Sequence, residues 1–244
     1  MLDVKDKIAV ITGAAAGFGL LLAQRLVRKG AKVVLGDVNI KGGEKLAAEL
    51  NASTARSSSS STVPRAVFLK CDVSHPAEIH ALFDLGVQTF GTVDIMVNNA
   101  GILEYPAYFD QDDESVSQRV LDINLKAVLS GTHYAVRYWR KRGQPGVVVS
   151  ASSASAFALL PIATVYATAK AAVLHFTSNC ISLRTEGIRV NAIAPFFSPT
   201  SLVNDSRKAN PTFDNLLNNL TMVPQDMVVD AYMRCIEDED LAGK

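Results

Sequence analysis

Ser153, Tyr166 and Lys170 are the residues whose types and spacing suit them to chemistry at a single carbon–oxygen group. Tyr166 and Lys170 stand four apart in a run of helical character (Ala167, Ala169, Ala171, Ala172, Leu174), which puts them on one face of one helix. Ser153 follows Gly146-Val147-Val148-Val149, which reads as a short buried strand. Its hydroxyl is therefore expected at a strand's C-terminal end, where open α/β sheets present ligand-binding groups. A phenol with a pKa near ~10 works as a base at neutral pH only if that value falls by roughly 2 to 3, or about 3 to 4 kcal/mol of phenolate stabilisation. A lysine ammonium one turn away supplies part of it, and a serine hydroxyl donates to an oxygen that gains negative charge. A Tyr and Lys at this spacing also occur by chance on many helices, and a serine-rich strand end is equally a plain turn. Both readings stay open on this stretch alone.

The elements that must position these groups are those of an α/β protein. The chain has 244 residues, 48% apolar and 20% charged, enough for one domain with a large core and ordinary for a globular protein. No stretch is long and apolar enough to span a bilayer, and Met1 to Lys7 lacks the apolar centre of a signal peptide, so a cytoplasmic protein is expected, with no membrane partner. Twenty-four basic and 24 acidic residues balance, which offers no field for nucleic acid. Cys71, Cys180 and Cys235 lack paired spacing, and His75, His80, His133 and His175 lack ligand spacing, so free thiols and no metal are expected.

The first strand pattern, Lys7 to Ile11, runs into Thr12-Gly13-Ala14-Ala15-Ala16-Gly17-Phe18-Gly19 and then a helical run to Lys29. Strand, glycine turn and helix in that order suit a pyrophosphate, which the free amides of the helix N-terminus attract. The spacing is G-x-x-x-G-x-G, and a purely structural turn is the competing reading. Gly30 fits the end of that helix, and Ala31 to Gly36 reads as a second strand ending at Asp37. A carboxylate there accepts from the hydroxyls of an adenosine ribose and repels a 2′-phosphate, which points to NAD over NADP; otherwise it caps the next turn. An oxidised nicotinamide ring, itself cationic, would further lower the Tyr166 phenol. After a helix to about Leu50, the serine-rich stretch at about 52–64 reads as a flexible surface insertion. Two further strands, Ala66 to Lys70 and Val93 to Val97, end in Cys71-Asp72-Val73 and Asn98-Asn99-Ala100-Gly101, both placed to line a cofactor.

With these motifs in register, the chain resembles the classical short-chain dehydrogenase/reductase family over roughly residues 5 to 200. The resemblance implies a single domain over 1–244 with a Rossmann-like, doubly wound, mostly parallel sheet and helices on both faces. It implies NAD-dependent interconversion of a secondary alcohol and a ketone, with Tyr166 as acid/base, Lys170 as its activator and ribose ligand, and Ser153 as the oxygen positioner. Asn124, in Asp122-Ile123-Asn124-Leu125, is implied to hold a proton-relay water near Lys170. By the same resemblance Gly13, Ala15, Gly17, Phe18, Gly19, Asp37, Asn99, Ala100, Gly101, Pro195 and Thr200 bind the cofactor, Asp72 and Val73 flank its adenine, and Asn98 braces the central strands. Gly30-Ala31-Lys32-Val33, Ser130-Gly131-Thr132 and Ile236-Glu237-Asp238-Glu239 look like the NAD-dependent hydroxyprostaglandin dehydrogenase branch, which implies an apolar or lipid-like substrate. The apolar run Phe157 to Ile162 is compatible with one. Family analogy for 114–142 and 163–186 implies a homodimer or homotetramer.

Two departures keep a second hypothesis in play, a dinucleotide-binding regulatory or scaffold protein with impaired turnover. Pro195 is followed by Phe196 where the family usually has glycine, and a phenylalanine lacks glycine's backbone freedom and small size. The sequence stops at Lys244, where relatives continue into a further strand, so Ile188 to Ile193 is expected to present an open sheet edge unless a neighbouring subunit or the tail itself covers it.

Overall fold

The computed structural model describes residues 1–55, 63–218 and 220–244. Short apolar runs bounded by turns alternate with helices along the first three-quarters of the chain, and that alternation builds a parallel sheet. The elements are β1 (Ile8–Thr12), α1 (Gly17–Arg28), β2 (Lys32–Asp37), α2 (Ile40–Ala55), β3 (Ala66–Lys70), α3 (Pro76–Phe90) and β4 (Ile95–Asn98). There follow α4 (Ser115–Leu121), a π-helical turn over Asp122–Lys126, α5 (Ala127–Arg142), β5 (Gly146–Ala151), α6 (Thr164–Asn179) and β6 (Ile188–Ile193). A last group, α7 (Ser201–Ala209), α8 (Pro211–Asn218) and α9 (Gln225–Glu237), completes the chain.

All the strand pairs are parallel, in the order β3-β2-β1-β4-β5-β6. The chain crosses from one edge to the centre between β3 and β4, which makes the C-terminal ends of β1 and β4 the switch point of the sheet, where such folds hold ligands. Register carries the motifs there together: Ile11 pairs with both Leu35 and Val97, and Asn98 pairs with Ser150.

Side chains alternate between two cores because both faces of the sheet are covered. Ala9, Ile11, Val147 and Val149 meet Leu22, Leu26 and Tyr232 of α1 and α9 on one face. Val10 and Val148 meet Leu82, Phe83 and Trp139 of α3 and α5 on the other. Trp139 is fully buried and donates its indole N–H to the Val93 carbonyl at 2.7 Å, which satisfies the one polar atom of the largest core side chain.

Two expectations need correction. The serine-rich stretch does not begin as a loop, because α2 runs through Ala55; residues 56–62 lie outside the described residues. The outer edge of β6 is not left open either. The Gly243 N–H donates to the Val190 carbonyl (2.9 Å) and the Ala192 N–H to the Lys244 carbonyl (2.7 Å), so the tail covers the centre of that strand. Buried Arg189 fixes the tail by donating to the carbonyls of Cys235, Ile236, Asp238 and Leu241 at the end of α9.

Candidate active site

Strand β5 ends at Ala151, and Ser153 stands two residues on, its hydroxyl accepting from the Ser155 N–H at 3.2 Å. Helix α6 presents Tyr166 and Lys170 on its buried face, as their spacing requires. Ser153 and Tyr166 border the same cleft. The Lys170 Nζ lies 5.6 Å from the centre of the Tyr166 ring and donates to the Ala151 carbonyl at 2.7 Å. Ser152 locks strand to helix by donating to the Lys170 carbonyl at 2.7 Å.

Burial dominates the electrostatics of the pair. Burial pushes the Tyr166 phenol above its ordinary pKa, with the Ser153 side chain as the opposing effect. Burial also pulls Lys170 down to about 8.

Glu104 holds the start of α6 in place. This carboxylate, on the segment after β4, is only 3% exposed and accepts from the Val165 and Tyr166 N–H groups, both at 3.0 Å. Burial raises its pKa, and backbone hydrogen bonds from Val165, Tyr166 and Thr164 counter the rise. A carboxylate at a helix N-terminus satisfies free amides and opposes the positive end of the helix dipole. Asn124 sits in the π-helical turn, fully buried, with its amide tied to both sides of Ile102: Nδ2 donates to the carbonyl (2.8 Å) and Oδ1 accepts from the N–H (3.1 Å). A Cβ added at Gly101 would meet Asn124 Oδ1 at 2.7 Å and come within 3.5 Å of Lys170 Nζ, so Gly101 lets all three groups crowd together.

The glycine turn lies across the switch point from these groups. Gly13 has φ +65°, and a Cβ there would meet the Ala100 Cα at 2.8 Å. Gly19 has no room at all, since a Cβ would fall 2.3 Å from the Gly13 carbonyl oxygen. Asn99 clamps the turn by donating to the Thr12 and Gly13 carbonyls (both 3.0 Å), while the Thr12 hydroxyl accepts from the Asn99 and Ala100 amides. Tyr232 of α9 donates to Asn99 Oδ1 at 3.0 Å, so a residue near the end of the chain braces a turn near its start. Asp37 Oδ2 accepts from the Ala15 N–H at 2.8 Å and Oδ1 from the Asn39 N–H at 2.9 Å, which joins the end of β2 to the turn. Asn98 donates to the hydroxyls of Thr132 and Ser150, a bracing position between central elements. Val73 borders Thr12 and Ala100, and Asp72 takes hydrogen bonds from the hydroxyl and N–H of Ser74.

These residues fit a dinucleotide. Helix α1 opens at Gly17 with no side-chain cap and no acid in its first turn, so its amides are free for an anion. Thr200 stands beside Gly17 and caps α7 with its hydroxyl, and Pro195 and Phe18 line the same cleft. The backbone objection to Phe196 falls away, because among the described residues the only non-glycine with positive φ is Asp6. Phe196 is 40% exposed and packs edge-on against Phe197 at 5.1 Å.

The cleft that joins the turn to the Ser153, Tyr166 and Lys170 group has a cavity of about 230 Å³. Beyond Tyr166 its wall is apolar, built from Leu103, Leu160, Phe197, Leu202, Val203 and Leu220. Glu104 and Tyr232 were absent from the residues singled out in the sequence. Tyr232 carries no local signal, whereas Glu104 was detectable as a lone carboxylate in the apolar continuation of a glycine motif. Among the described residues no cluster of potential metal ligands is present, and no helix is long and apolar enough to cross a membrane.

Residues 7–211 match the short chain dehydrogenase family model. The chain is 35% identical to the 3beta-hydroxysteroid dehydrogenase 2 of Eggerthella lenta, over 80% of this chain and 72% of that protein. It is 30% identical to the NAD(+) 15-hydroxyprostaglandin dehydrogenase of Bos taurus, over 99% of this chain and 90% of the other. The crystal structure of a 3-ketoacyl-(acyl-carrier-protein) reductase from Brucella melitensis, complexed with NADH, superposes with a TM-score of 0.83 at 26% identity, covering 98% of this chain and 95% of that one. The chain belongs to the short chain dehydrogenase family.

Proposed function

We propose that this short chain dehydrogenase interconverts a secondary alcohol and a ketone on an apolar small molecule, with NAD as its cofactor. The observation that carries the reading is one cleft bringing Ser153, Tyr166 and Lys170 together beside a glycine turn that fits a pyrophosphate. When bound, the nicotinamide supplies or accepts the hydride. The protein's part is to place the carbon and move the proton. Ser153 donates to the substrate oxygen, and the Tyr166 phenol exchanges a proton with that oxygen. Lys170 is the one cation among the described residues lining the cleft, and it serves both the ribose and the phenolate. The phenol starts from a raised pKa, so positive charge beside it is what brings it into working range. Asn124, whose amide is bonded to the Ile102 N–H and carbonyl, would hold a proton-relay water near Lys170.

Asp37 supports NAD over NADP, because a 2′-phosphate at the end of β2 would face its carboxylate. The test is a panel of apolar secondary alcohols with each cofactor, followed by absorbance of the reduced nicotinamide. The reading expects turnover with NAD and kcat/KM about a hundredfold lower with NADP. Comparable values with both cofactors would remove the role given to Asp37. Cofactor binding without turnover across the panel would contradict the enzymatic reading.

A further inference from the structure

Charge is missing from the substrate end of the cleft. Among the described residues lining it, the titratable side chains are Tyr166 and Lys170, and both sit at the reacting end. Lys170 Nζ is already given to the Ala151 carbonyl. Of the lining hydroxyls, Ser198 donates to the Val223 carbonyl at 2.7 Å, Thr200 beside Gly17 accepts from the Val203 N–H at 3.4 Å, and the Ser155 hydroxyl is buried with no hydrogen-bond partner among the described residues. Arg207, the closest guanidinium in the helical cover formed by α7 and α8, is paired with Asp214 and Asn218 and does not line the cleft. Glu104 stands next in the chain to wall residue Leu103, but its carboxylate is spent on the amides of α6. The apolar character continues outward, where Leu159 is 95% exposed and Leu216 and Phe196 are each 40% exposed at the mouth.

We propose that the cleft selects secondary alcohols and ketones that are uncharged along the part it encloses, and discriminates against carboxylates of the same shape. The proposal rests on the oxidoreductase reading and narrows it. A carboxylate drawn past Tyr166 would lose water and gain no cation beyond Lys170, and neutral hydroxyls alone do not make up for the lost hydration of an anion. An apolar group of the same size gains from leaving water for the wall of Leu103, Leu160 and Val203. The geometry thus separates substrates by charge rather than by bulk.

A matched pair of ketones tests it: 4-tert-butylcyclohexanone and 4-oxocyclohexanecarboxylate share a ring and differ in the group opposite the reacting carbonyl. Both are assayed with the full chain and NADH for turnover, and both are titrated by calorimetry into the NADH-loaded protein. The neutral ketone is expected to be favoured by about a hundredfold in kcat/KM and in Kd. Leu216→Arg and, separately, Leu159→Arg place a cation at the exposed rim, where folding tolerates it. At least one of them is expected to narrow the gap by about tenfold, as a desolvated ion pair would. Turnover of the acid within about tenfold of the neutral ketone overturns the proposal while leaving the alcohol and ketone chemistry standing. Selective binding of the neutral ketone without turnover leaves the charge selection standing and overturns the oxidoreductase reading. Binding of neither ketone overturns the proposal.

Discussion

Lys170 is the residue whose placement costs most. Its ammonium is buried, with one carbonyl as partner, and its pKa falls to about 8. The folded protein therefore releases this proton near pH 8, while the unfolded chain keeps it until about 10.4. Between those values the unfolded state binds more protons, so this group makes stability rise with pH, by roughly 3 kcal/mol across the interval, and adds no slope below it. Urea unfolding of the wild type and Lys170→Met at about pH 7.5 and about pH 10 checks this: the difference should move in favour of the wild type at the higher pH. A difference that does not change with pH would show that the ammonium is solvated. The identities of Ser153, Tyr166 and Lys170 were legible because their spacing alone defines a shared helical face and a strand end. The electrostatic environment of the phenol was not, since it depends on how many distant segments bury it. Burial raises its pKa, and the Ser153 side chain opposes the rise.

Among the elements, α6 depends on a residue 60 positions before its first residue, Thr164, because Glu104 accepts from its leading amides. Glu104→Ala should cost about 1 to 2 kcal/mol, in the range of a lost cap. The same change should lower kcat by about tenfold with the cofactor Kd unchanged, because a small shift of Tyr166 is amplified in the rate. Glu104→Asp should recover part of the rate, and an Ala variant with lower melting temperature but native kcat would reduce Glu104 to a stabilising role. Strands were the most legible elements. β1 and β5 read as short continuous apolar runs because both faces of the sheet are covered, and β6 runs over Ile188–Ile193, the bounds read from the sequence. The π-helical turn that carries Asn124 was not legible, since 114–142 was read as one helical run and a single π turn inside it has no residue signature of its own. The start of the serine-rich stretch was misread for a related reason. Its composition suits a loop, but α2 packs along β3, and tertiary contact carries the helix through Ala55.

For the whole molecule, the doubly wound parallel sheet followed from the family motifs, whereas its strand order and the cover on its outer edge required the structure. Arg189 and Asn191, inside β6, are buried donors that hold the last carbonyls of α9 and the Leu241 carbonyl beyond it, and bring the tail to β6. Arg189→Leu should destabilise the protein by roughly 3 kcal/mol, because several buried carbonyls lose their partner together. Hydrogen exchange should show the Ala192 amide losing protection in that variant more than Val10 in the central strand. Equal protection at both sites would mean that the tail stays docked without its arginine. These tail contacts and the Tyr232 brace on Asn99 link the end of the chain to the cofactor turn, so the site belongs to the folded molecule as a unit. The most direct test of the central claim is therefore a single exchange at its chemical centre, Tyr166→Phe, with binding and turnover measured separately. The account predicts NAD binding within about threefold of wild type and a kcat at least about a hundredfold lower on any secondary alcohol the wild type oxidises. Near-native turnover by the phenylalanine variant would contradict it.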